Sequence, residues 1–114
     1  MISFACKEIE LKDLLVCSFD LNKTAYHVML VLFKEEEALA VEAIAQKARL
    51  DRTTAQKALA LLNSRGLLDR RQINLPKGGY HFIYALKDKR DIKARMHSTI
   101  AGWTRQVTRE IDAW

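Results

Sequence analysis

The chain has 114 residues, 49% of them apolar and 29% charged, which is the size and balance of one globular domain able to bury a core of its own. No stretch approaches the roughly 20 uninterrupted apolar residues of a membrane helix, and Met1–Glu8 lacks the basic-then-apolar order of a signal peptide, so a cytoplasmic protein is expected. The net charge of +5 is unevenly spread: residues 1–45 hold four Lys and eight Asp/Glu, whereas 46–114 hold fifteen Lys/Arg and six Asp/Glu, and a basic half of this kind suits a polyanionic partner.

From Ile9 to Phe19, Leu11, Leu14, Leu15 and Ser18 recur at helical spacing among charged residues, predicting a first amphipathic helix. Cys6 precedes it and Cys17 lies near its end, without any metal-ligand spacing, so they are expected as small apolar fillers, with a redox-sensing pair as the alternative. Asn22 can cap a second helix, whose apolar run Ala25, Tyr26, Met29, Leu30, Leu32 and Phe33 predicts a central place in the core. Lys34–Glu37 reads as a solvated loop. His27, His81 and His97 are scattered and are expected as surface or packing residues, so no metal or other cofactor is implied.

Val41, Ile44, Ala45 and Ala48 then mark one face of a short helix. Asp51 offers an N-cap to a further helix running to about Ser64, whose buried stripe is Ala55, Ala58, Leu59 and Leu62. The same period puts Arg52, Thr53, Gln56 and Lys57 on the opposite face. These side chains suit DNA reading: Arg bridges guanine O6 and N7, Gln pairs with adenine N6 and N7, and Thr offers a hydroxyl or a methyl. A solvated helix face is the plainer alternative.

Gly66 sits where a left-handed residue ends a helix, and Leu67-Leu68 leads into a strand through Asn74. Pro76, Lys77, Gly78 and Gly79 make a turn, and Tyr80–Leu86, aromatic and β-branched, returns as the second strand. The hairpin thus carries a basic tip. The last element, Asp88–Trp114, spaces Ile92, Met96, Ile100, Trp103, Val107, Ile111 and Trp114 by three or four residues. A helix of this length extends roughly 38 Å at 1.5 Å per residue, more than so small a domain covers, so part of the seam is expected to face a second chain. Trp103 and Trp114 would be its anchors.

The span 40–86 resembles a winged helix-turn-helix transcriptional regulator of the archaeal TrmB type, with the related MarR pattern close behind. The matching segments are Glu42–Ala48 as supporting helix, Leu50–Leu59 as recognition helix and Asn63–Leu68 leading to the wing. Phe19–Tyr26, Gly78–Tyr84 and the helix that holds Trp103 are also similar to the TrmB group, so the likeness covers most of the chain. It implies a mainly α fold with a small β-hairpin wing: a DNA-binding domain over 1–87 that includes the N-terminal helix, and a dimerisation helix over 88–114 in the same compact unit. It further implies a homodimer on double-stranded operator DNA, without catalysis, with base contacts from Arg52, Thr53, Gln56 and Lys57 and backbone contacts from Arg49, Arg70, Arg71 and Lys77. Arg49 stands where such families often have Gly, which argues against a tight left-handed turn there. The sugar-binding domain of full-length TrmB regulators is not in these residues, so the resemblance assigns no effector. A winged helix serving as a protein-interaction module is the alternative function, because a fold does not dictate its use. No glycine-rich phosphate loop, metal-spaced His/Cys set or local Ser/His/Asp constellation suggests an enzyme.

Overall fold

A computed structural model describes residues 1–114. The elements run β1 (Ile2–Phe4), β2 (Lys7–Ile9), α1 (Leu11–Phe19), α2 (Lys23–Phe33), β3 (Leu39–Ala40), α3 (Val41–Ala48), α4 (Arg52–Ser64), β4 (Leu68–Asn74), β5 (Tyr80–Leu86) and α5 (Lys89–Ala113). The chain divides into two compact units, Leu21–Lys87 and Met1–Asp20 with Asp88–Trp114. The architecture is a winged helix-turn-helix with a long C-terminal helix, as the sequence pattern implies.

In the unit Leu21–Lys87, α2 packs against α3, α4 and β5. Asn22 caps it as expected, Oδ1 accepting the Ala25 N–H at 2.8 Å. Ala25, Val28, Met29 and Leu32 are buried, although Leu30 faces outward. Small residues at Ala45, Ala48, Ala55 and Ala58, all buried, let α3 and α4 approach closely around the larger Ile44, Leu59 and Leu62. His27 donates a ring N–H to the Ala48 carbonyl at 2.8 Å, tying α2 to the C-terminal end of α3. The charged run after α2 is irregular, as expected; Lys34 caps the helix, and Glu35 pairs with Lys47 of α3 at 3.0 Å.

The wing is a three-stranded antiparallel sheet in the order β3-β5-β4, with Leu68 opposite Leu86, Asn74 opposite Tyr80, and Leu39 opposite Tyr84. Its two-residue edge strand β3 is too short to be legible as a pattern. Gly66, at φ 72°, ends α4 in the left-handed region, and buried Leu67 turns the chain into the sheet. The Leu67 carbonyl accepts the Lys87 N–H at 2.9 Å, closing the base of the wing.

In the other unit β1 and β2 form an antiparallel hairpin, with Ile2 opposite Ile9, that the sequence does not announce. Ile9 is taken by this pairing, so α1 starts at Leu11, capped by Glu10 and Asp13, rather than at Ile9. The sequence grouped α1 with the residues up to 87; in the structure it packs with α5. Phe19 is buried there, with the Arg95 guanidinium 5.0 Å from its ring centroid. Cys6 and Cys17 are both exposed free thiols, which corrects their reading as apolar fillers: the hairpin turn and the outer side of α1 place them in solvent.

Leu62 is fully buried at the centre of the α4 stripe. Leu62→Ala is expected to lower the unfolding free energy by about 2–5 kcal/mol, read by urea denaturation, because the close-packed alanines around it leave a cavity that cannot collapse.

Candidate nucleic-acid interface

The turn between α3 and α4 sets the direction of the outward face. Arg49 adopts φ 58°, ψ 45°, so the left-handed turn forms despite the missing glycine. The Arg49 and Leu50 N–H groups donate to the Gln46 and Ala45 carbonyls at 3.2 and 2.9 Å, satisfying two of the open acceptors at the end of α3. These bonds offset the roughly 1–2 kcal/mol that a side chain adds to left-handed backbone. Two residues on, Asp51 restarts the helix. Its carboxylate accepts the Thr54 N–H at 2.7 Å and the Thr54 hydroxyl at 2.9 Å, and these bonds hold its pKa below the ordinary aspartate value.

With Ala55, Ala58, Leu59 and Leu62 buried, Arg52, Thr53, Gln56 and Lys57 are all exposed on α4. They form one polar surface. The Arg52 Nε donates to Glu42 Oε1 of α3 at 3.1 Å. The Glu42 carboxyl lies below its usual value, chiefly through its own backbone N–H, with further contributions from the Arg52 hydrogen bond and charge and from the charge of His81.

Alternation along β4 puts the two wing arginines on opposite faces, and the register gives each its cross-strand neighbours. Arg71 shares a face with Ile73, His81 and Ile83. Arg70 shares the opposite face with Gln72, Phe82 and Tyr84, and its guanidinium lies 4.4 Å from the Phe82 ring centroid. Tyr80 meets Phe82 edge-on at 5.5 Å. At the tip, Leu75 N–H donates to the Gly79 carbonyl at 3.0 Å and Gly78 N–H to the Leu75 carbonyl at 3.1 Å, while Gly78 and Gly79 take φ 94° and 79°. Lys77 is thus held exposed on a formed turn.

Charge follows the two units more closely than it follows the two halves of the sequence. Leu21–Lys87 contains eleven Lys/Arg and six Asp/Glu, the whole net charge of +5, whereas the other unit balances eight against eight. In that neutral unit the seam on α5 splits. Ile92 is buried within its own chain and Met96 and Val107 are half-buried, while Ile100, Trp103, Ile111 and Trp114 are exposed. Trp103, Val107 and Ile111 line a shallow groove with Gln106, Arg109 and Glu110. No helix is long and apolar enough to cross a membrane, and no group of three or more His, Cys, Asp or Glu side chains is placed to hold a metal ion.

No family model matches the chain. It is 33% identical over 101 residues to the uncharacterized protein MJ1082 of Methanocaldococcus jannaschii, covering 89% of this chain and 82% of that one. A possible transcriptional regulator from Methanosarcina mazei Go1 superposes with a TM-score of 0.92 at 30% identity, over 100% of this chain and 96% of the other. A MarR-family transcriptional regulator from Rhodococcus sp. RHA1 shares the fold at a TM-score of 0.50 and 18% identity, over 87% of this chain and 75% of the other. The structural neighbours are thus winged-helix transcriptional regulators, MarR-family members among them.

Removing the cap tests how α4 is held. Asp51→Ala is expected to lower Tm by a few degrees at neutral pH and Asp51→Asn by much less, since Asn caps nearly as well. Because the folded carboxyl is depressed, its contribution is complete above the ordinary aspartate value and is lost as the pH falls through the folded one. The Tm gap between wild type and Asp51→Ala should therefore narrow on acidification.

Proposed function

We propose that this chain, which belongs to the winged-helix family of the Methanosarcina mazei possible regulator and MJ1082, is a sequence-specific DNA-binding transcriptional regulator that acts as a homodimer. The observation that carries the reading is the coincidence of charge and geometry. All of the net positive charge lies in Leu21–Lys87, and that unit exposes Arg52, Thr53, Gln56 and Lys57 on one face of α4. In this reading α4 enters the major groove with those four side chains toward the base edges, and Arg49, Arg71 and Lys77 contact phosphates. Arg70, on the other face of the wing, reaches the flanking backbone from its far side. The TrmB-like part of the reading rests on the resemblance of segments 19–26 and 40–86 and of the helix that holds Trp103.

Two copies supply two recognition helices for a roughly palindromic operator. The exposed Trp103, Ile111 and Trp114 of α5 form the proposed interface, with Ile100, Met96 and Val107 along the same seam. Ile92 contributes indirectly, by anchoring the start of α5 in its own chain.

Selection of duplexes from a random pool, with affinities measured against salt, tests DNA binding. The log–log slope should be about −0.9 per neutralised phosphate. Lys77→Ala should weaken all duplexes alike and reduce the slope by about 1, whereas Arg52→Ala should relax discrimination at one base pair at a cost of about 1–3 kcal/mol. A protein that shifts no duplex at low salt would overturn the reading. For the dimer, light scattering should give twice the chain mass for the wild type and the single-chain mass for Trp103→Glu; an unchanged mass for the variant would remove Trp103 from the interface.

A further inference from the structure

Arg52 is the first residue of α4 and is exposed, yet its guanidinium is held at one end. Nε donates to Glu42 Oε1 at 3.1 Å, and Glu42 stands in the first turn of α3, where the positive helix end favours its charge. The contact links the first residue of α4 to the supporting helix.

On a surface that meets phosphates, a carboxylate weakens binding to every duplex alike. An exposed ion pair also adds little to stability. What the contact does change is geometry. Guanidinium carries five N–H donors in a planar fork, and engaging Nε leaves both terminal amino groups, the end-on edge of the fork, available to a ligand. That edge matches guanine O6 and N7.

We propose that Glu42 is a positioning residue for base discrimination: it holds Arg52 by Nε so that the two terminal amino groups present an end-on fork selecting a G·C pair, at the expense of overall attraction to phosphate. The inference rests on the DNA-binding reading and deepens it. The structure thus assigns specificity to a residue outside the face of α4, on the supporting helix, where its negative charge would otherwise count against it.

The test uses a duplex selected by the wild-type protein from a random pool, its single-base-pair variants, and an unrelated duplex. Dissociation constants are measured by fluorescence anisotropy at fixed salt, with Tm recorded for each variant. Glu42→Ala should keep its fold and bind the unrelated duplex more tightly. It should also lose about 5- to 10-fold of the discrimination at the same base pair where Arg52→Ala loses it. The double variant should lose no more than Arg52→Ala alone, because the two residues act as one unit. Glu42→Gln, which retains an acceptor oxygen without the charge, should keep more of the discrimination than Glu42→Ala. If Glu42→Ala tightens every duplex by the same factor and leaves discrimination unchanged, the acid acts by repulsion alone and the proposal fails. If Arg52→Ala leaves discrimination unchanged at every position, the proposal fails while the regulator reading stands. If the wild type binds no duplex, both fail.

Discussion

The burial of Ala55, Ala58, Leu59 and Leu62 on one side of α4 is the constraint from which the other features follow. A helix turns 100° per residue, so committing that stripe to the core turns Arg52, Thr53, Gln56 and Lys57 outward. Alanine at two of the four core positions permits α3 to sit close, and that closeness brings Glu42 within hydrogen-bonding distance of Arg52. The same short connection requires a left-handed residue at its start. Arg49 supplies it, because two backbone hydrogen bonds at the end of α3 offset its conformational cost.

Electrostatics reinforces this arrangement instead of creating it. The unit that contains the helix-turn-helix and wing holds the whole excess of positive charge, and the unit that holds α5 is neutral. The unit balances only as a whole, since α5 itself holds six Lys/Arg and three Asp/Glu; what suits α5 to a contact between copies is its exposed tryptophans. A basic unit suits a polyanion. The family relationship makes the regulator reading economical, and the distribution of charge gives it a physical basis within this chain.

Several elements were legible before folding because their signals are local. The caps at Asn22 and Asp51, the left-handed Gly66, the glycine turn of the wing and the helical stripes all depend on residues within a few positions of one another. The N-terminal hairpin and β3 were not legible, since strands of two or three residues carry no readable alternation and β3 exists only through its pairing with β5. The cysteines were misjudged for a related reason: a small thiol has the composition of a core residue, and only the packing of α1 decides that Cys17 faces water.

Local periodicity was thus sufficient to place the residues of the outward face and of the α5 seam on their helices. It could not say which cross-strand neighbours Arg70 and Arg71 meet on their opposite faces of the wing, nor that Ile92 is buried while Trp103 and Ile111 are exposed. Nor could it pair Glu42 with Arg52, ten residues apart on different helices. Such relations arise from close packing between elements, and spacing along a chain carries no information about the distance between helices until the core has brought them together.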